Sequence, residues 1–166
     1  MLGLLGAAGS SYLLGSGFLA AGGAALLLSA VFDMFDGAVA RATGQESKFG
    51  AFLDSTADRV SESVVLLGLL VHYLNESSTY GAILVFVALA GSMMVSYVRA
   101  RAGGLRIDCE VGVMTRMERV VALGAGVIAG QWWPPAVLIV LAAIGALTIV
   151  TTVQRVLHVR RELEKR

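Results

Sequence analysis

The chain has 166 residues, of which 57% are hydrophobic, 20 are glycine and 15% are charged, and its net charge is +1. A mean hydropathy of +0.77 over the whole length excludes an ordinary soluble domain and points to an all-α, multi-pass membrane protein. The near-zero charge, without a basic stripe, gives no footing for a nucleic-acid partner, and a single cysteine, Cys109, excludes an intramolecular disulfide and a multi-cysteine zinc site.

At about 20 residues per crossing the length allows six transmembrane helices and no separate soluble domain, so residues 1–166 read as one membrane domain. Apolar length and breaker residues predict spans from Leu2 to Leu14, Phe18 to Ala40, Phe52 to Leu74, Tyr80 to Arg99, Val120 to Trp133 and Ala136 to Val153. The first is short, and the start lacks the basic segment and cleavage site of a signal peptide. Gly15-Ser16-Gly17, Ala42 to Lys48, Asn75 to Thr79, Gly103 to Thr115 and Pro134-Pro135 separate the spans.

All 13 Lys and Arg fall in three places: Arg41, Lys48 and Arg59; Arg99, Arg101, Arg106, Arg116 and Arg119; and Arg155, Arg160, Arg161, Lys165 and Arg166. With six crossings these lie on one side, which the positive-inside rule makes cytoplasmic in a cell membrane. Trp132 and Trp133 then form an aromatic belt on the opposite side.

The end of the second predicted span reads Asp33-Met-Phe-Asp36-Gly37-Ala-Val-Ala40-Arg41, and the third opens with Gly50-Ala-Phe-Leu-Asp54-Ser-Thr-Ala-Asp58. On helices, Asp33, Gly37 and Arg41 fall at i, i+4 and i+8 with Asp36 beside them, while Gly50, Asp54 and Asp58 make a matching stripe. Two antiparallel helices therefore bring four carboxylates together. Such a cluster at a membrane boundary must be neutralised or ligated. Oxygen-only ligation suits Mg²⁺ or Mn²⁺, and two such ions would clamp a phosphate group for in-line displacement.

These residues match Asp-x2-Asp-Gly-x2-Ala-Arg-x8-Gly-x3-Asp-x3-Asp at all eight fixed positions. The chance rate of such a match is on the order of 20⁻⁸ per starting site. The chain thus resembles the CDP-alcohol phosphotransferases of phospholipid synthesis, a family of six-helix membrane proteins that are generally homodimers. The resemblance implies transfer of a phosphatidyl group from CDP-diacylglycerol to an alcohol, with release of CMP. It also puts Asp33, Asp36, Asp54 and Asp58 at the metal centre, Asp58 as general base, Arg41 on the CDP diphosphate, and Asp33, Gly37 and Gly50 against the CDP-lipid. The family's usual amphipathic segment and Asn-x2-Thr element before the first helix have no counterpart here, which implies a start short of the family's own.

Arginines near the ends of three predicted spans suit an acceptor that already carries a phosphate, because guanidinium forks bind phosphate oxygens bidentately. The segments around Arg99, Arg116 and Arg155, and Leu53 to Arg59, are similar to the phosphatidylinositol-phosphate synthase branch. That similarity implies inositol phosphate as acceptor and places its phosphate on those three arginines. Glycerol 3-phosphate as acceptor and CDP-archaeol as donor are the alternatives within the same chemistry. A divalent-cation transporter is the alternative from another class, and it requires carboxylates near the bilayer midplane. Arg101, Arg106 and Arg119 read equally well as lipid-facing positive-inside residues. Glu62, one turn beyond Asp58, reads either as a support for the metal centre or as a partner of Arg59, His72 and His158 read as interfacial, and Cys109 carries no assigned role.

Overall fold

The computed structural model describes residues 2–42 and 47–165, excepting the side chains of residues 2 and 36–42. Among the described residues there are six helices and no strand: α1 (Leu2–Gly15), α2 (Leu19–Ala42), α3 (Lys48–Asn75), α4 (Thr79–Gly104), α5 (Arg116–Gly130) and α6 (Pro135–Glu164). Each predicted apolar span thus corresponds to one helix, but the ends differ because polar caps, not hydropathy, set them. Ser47 accepts from the Gly50 amide at 2.9 Å and starts α3 ahead of the apolar run. The Ser78 side chain does the same for α4 through the Gly81 amide.

The helix at the span predicted from Val120 to Trp133 begins ahead of it, at Arg116, and ends at Gly130, leaving Trp132 and Trp133 exposed beyond it. A Thr-x-x-Glu box explains that start, because the Glu118 carboxylate accepts from the Thr115 amide. The last helix continues well past Val153, carrying Arg155, Arg160 and Arg161 as far as Glu164.

Helix neighbours form a closed circuit, α1–α2–α5–α6–α4–α3 and back to α1. Its interior is filled by Leu14, Leu69, Ala88, Val127 and Leu141, all without exposure. Small residues set the closest approaches: a β-carbon at Gly68 would overlap the Ser11 carbonyl oxygen of α1, and one at Gly91 would overlap Thr148 of α6. The outer faces carry Phe32, Leu67, Phe86, Ile139 and Ile149, a surface suited to lipid. By length and composition alone, α4 and α6 suffice to cross a bilayer; α2 offers the shorter apolar stretch Leu19–Phe35. α1 has 14 residues and reaches about 21 Å at 1.5 Å per residue. α3 carries Asp54, Asp58, Arg59 and Glu62 within its first 15 residues, which lowers its hydropathy.

Candidate active site

Two helix ends meet at the acidic cluster. The C-terminal half of α2 carries Asp33, and the first turns of α3 carry Gly50, Asp54 and Asp58 at intervals of four residues. Asp36, Gly37 and Arg41 continue α2, but their side chains lie outside the described residues. Asp33 is partly exposed and lies where a β-carbon on Gly3 of α1 would overlap its carboxylate, so α1 closes one flank. Asp33 and Asp54 both act electrostatically on Asp58, which places the three carboxylates in one neighbourhood. Among the described residues a β-carbon at Gly50 would meet only the Ser47 hydroxyl, at 3.0 Å.

Among the described residues no three acidic, His or Cys side chains converge tightly enough to form a ligand cage. Three mutually repelling carboxylates without a His or Cys donor nevertheless fit a hard divalent cation, which would draw them together.

Across from the carboxylates, α5 supplies two arginines. Arg116 Nη2 lies 2.9 Å from Asp58 Oδ1, and both side chains are partly exposed. The Arg116 Nε is buried without a partner among the described residues. One turn on, Arg119 donates Nε and Nη2 to the two carboxylate oxygens of Glu62 at 2.7 and 2.9 Å. Arg119 is only 2% exposed. This corrects two sequence expectations: Arg119 is not a lipid-facing surface charge, and Glu62 is paired with Arg119 and not with Arg59. The Arg59 guanidinium instead bonds the Ser55 carbonyl of its own helix. Arg119 and Ser92 line a cavity of about 20 Å³ beside Glu62, and both Arg119 Nη1 and Ser92 Oγ are buried without partners among the described residues. That volume accommodates about one water.

The other two predicted acceptor arginines stand at the α4–α6 side. Arg99 is exposed and bonds Glu110 at 2.7 Å. Arg155 is 3% exposed and donates Nε to the Val111 carbonyl at 2.9 Å and Nη1 to the Val95 carbonyl at 2.7 Å. Arg99 and Arg155 are close enough to act on one another's charge. Arg155 therefore does a job that the sequence reading did not foresee, tying the 105–115 loop to α4 and α6. Thr151 adds to the same latch by accepting from the Met114 amide at 3.1 Å, and the His158 ring nitrogen lies 3.0 Å from the Asp108 carbonyl. Cys109 is buried against Ala102, Ile107 and Val159, and burial pushes its thiol above the usual value, so it serves as an apolar plug. His72, on the last turns of α3, packs edge-on against Tyr73 with ring centres 5.2 Å apart.

The profile of the CDP-alcohol phosphatidyltransferase family matches residues 3–161. The archaetidylinositol phosphate synthase of Methanothermobacter thermautotrophicus is 39% identical over 168 residues, covering 99% of this chain and 82% of the relative. A phosphatidylinositol phosphate synthase of Mycobacterium tuberculosis is 36% identical over 155 residues, covering 89% of this chain and 70% of the relative. The crystal structure of a phosphatidylinositol phosphate synthase from that organism, in complex with manganese and citrate, superposes with a TM-score of 0.87 at 31% identity, covering 95% of this chain and 78% of the other. The same enzyme with CDP-DAG bound gives 0.86, covering 95% and 82%.

Proposed function

Because the chain belongs to the CDP-alcohol phosphatidyltransferase family, we propose that it transfers the phosphatidyl group of CDP-diacylglycerol to inositol phosphate, giving phosphatidylinositol phosphate and CMP. The observation that carries the choice of acceptor is Arg116: it reaches the acidic cluster through Asp58 while its buried Nε has no partner among the described residues. A phosphate oxygen at that nitrogen would stand beside the carboxylate cluster, which is where an acceptor hydroxyl must be delivered. Phosphatidylinositol phosphate synthases among the relatives support the same acceptor.

In this reading Asp33, Asp36, Asp54 and Asp58 hold Mg²⁺ or Mn²⁺, as two ions. Bound there, the metal supplies neutralisation of the diphosphate charge and stabilises the CMP leaving group. Arg41 contacts the diphosphate, and Asp33, Gly37 and Gly50 lie along the nucleotide. Asp58 takes the proton from the acceptor hydroxyl, whose oxygen attacks the β-phosphorus in line while the bond to the CMP oxygen breaks. Arg116, Arg99 and the remaining Nη2 of Arg155 bind the acceptor's own phosphate, and that charge would draw Arg116 toward the acceptor.

The reading extends to the whole chain: one domain crossing the bilayer six times, multi-pass in the cell membrane, with the active site facing the cytoplasm, and assembled as a homodimer. The three basic chain regions and the apolar outer surface support the orientation and the membrane setting. A second donor, CDP-archaeol, is favoured by the archaetidylinositol phosphate synthase relative.

CMP release by the purified chain with Mg²⁺ tests these points. CDP-diacylglycerol and CDP-archaeol are each offered with inositol phosphate, glycerol 3-phosphate, free inositol or serine. Release with inositol phosphate alone, abolished by chelator, is the expected result; release with another acceptor leaves the metal chemistry standing and removes the arginine pocket. Asp58→Asn should lower turnover by about 10²–10⁴-fold, the usual weight of a general base, while CDP-lipid binding persists. Unchanged turnover would remove Asp58 from that role.

A further inference from the structure

Two ion pairs join α3 to α5, one turn apart. Glu62 follows Asp58 by four residues and Arg119 follows Arg116 by three, so the pairs lie on the same two facing stripes. Their character differs. The Asp58–Arg116 pair is a single contact with side chains 24% and 30% exposed, whereas the Glu62–Arg119 pair is bidentate with side chains 6% and 2% exposed. The inner pair lies among Leu26, Leu66, Leu123 and Ile144. Packing alone would be served there by two apolar residues, because a buried ion pair rarely outperforms a hydrophobic replacement in stability. What the fork adds is geometry: a planar guanidinium bound through Nε and Nη2 admits one pose, and it ties α5, which packs on α2 and α6, directly to α3.

We propose that Glu62 and Arg119 are positioning residues for the acceptor site. Their fork fixes the height and rotation of α5 against α3, and thereby holds Arg116 at the level of Asp58. The water-sized cavity bounded by Arg119 and Ser92 belongs to the same unit, since it lets the third guanidinium nitrogen be satisfied without moving the fork. Slippage of α5 by a fraction of a turn would carry Arg116 off the acceptor phosphate while leaving the α2–α3 motif, and so the CDP-lipid, in place. The inference rests on the proposed role of Arg116.

The test measures kcat, KM for inositol phosphate and KM for CDP-diacylglycerol, together with the melting temperature, on the full chain in lipid nanodiscs. Arg116→Ala is the reference, expected to raise the acceptor KM by about tenfold or more. Glu62→Gln weakens the fork and is expected to raise the acceptor KM by about tenfold with the donor KM within about twofold, since misplacement of order 1 Å carries losses of that size or larger. The double variant Glu62→Met with Arg119→Met removes both charges; it is expected to melt near the wild-type temperature yet keep the raised acceptor KM.

Recovery of wild-type acceptor KM in the double variant would overturn the proposal, because the pair would then matter only through charge compensation. Equal rises in both KM values for Glu62→Gln would overturn it too. Should the double variant fail to fold, the ratio of KM changes in Glu62→Gln decides alone. An unchanged acceptor KM in Arg116→Ala removes the underlying site reading, whereas a raised value there with an unchanged one in Glu62→Gln removes only the positioning pair.

Discussion

Gly112→Ala should do more damage than the addition of one methyl group suggests. Gly112 sits in the 105–115 loop at φ +130°, a conformation that L side chains rarely adopt, and its β-carbon would overlap the Thr151 methyl of α6. Thr151 cannot simply rotate away, because its Oγ1 accepts from the Met114 amide. Nor can the loop retreat freely, since Arg155 holds the Val111 carbonyl at 2.9 Å. Backbone strain of about 1–3 kcal/mol and overpacking of about 1–3 kcal/mol together give a destabilisation of about 2–6 kcal/mol. Relief by loop displacement would forfeit hydrogen bonds worth about 1 kcal/mol each and shift the start of α5, which carries Arg116. The internal control is Gly103→Ala on α4, where a β-carbon meets none of the described residues within 4 Å and helix propensity should give a gain of about 0.5–1 kcal/mol. Thermal unfolding in lipid nanodiscs, with acceptor KM measured alongside, separates the two. Gly112→Ala within about 0.5 kcal/mol of wild type, or Gly103→Ala as harmful as Gly112→Ala, would refute the reasoning.

Arg155→Ala should raise the KM for inositol phosphate more than that for CDP-lipid. It should also lower the melting temperature, because the Val111 carbonyl loses its Arg155 donor and the Val95 carbonyl loses one beyond its helical bond, at about 1 kcal/mol each. A rise in both KM values alike, or in neither, would remove it from the acceptor site. Acid should loosen the start of α5 through Glu118, whose carboxyl is held below its ordinary 4.5 by hydrogen bonds from the Thr115 amide and hydroxyl. A depressed folded-state pKa contributes stability that is present above the unfolded value and lost as pH falls through the folded one. The melting difference between wild type and Glu118→Ala should therefore be full above pH 4.5 and close below it; a difference that grows in acid would reverse the sign.

The legible part of this chain is what lies within one helix or across one short connection. Asp54 and Asp58 share a face because four residues separate them, and that spacing is a property of the chain before any packing occurs. The order of six apolar stretches was legible for the same reason. Helix ends were less so: hydropathy marks where the apolar run stops, whereas Ser47 and the Thr115–Glu118 box decide where the backbone turns. That box was available to a reading of Thr-x-x-Glu ahead of an apolar run.

The partner of a charge was the least legible property. Glu62 and Arg59 are neighbours on α3, so a local reading could pair them, yet the pairing depends on which face of α5 turns toward α3. Which helices are neighbours follows from packing, as where Gly68 of α3 meets Ser11 of α1, and that is not encoded in the spacing of charges along one helix. One signal was present nonetheless. Asp58 with Glu62 and Arg116 with Arg119 are oppositely charged repeats at four and three residues, each fitting one stripe of its own helix. If two such stripes face one another, either pair predicts the other. Arg155 gave no comparable signal, because its role is to hold carbonyls of α4 and a loop; a basic side chain near a helix end looks the same in sequence whether it binds a phosphate or the protein's own backbone.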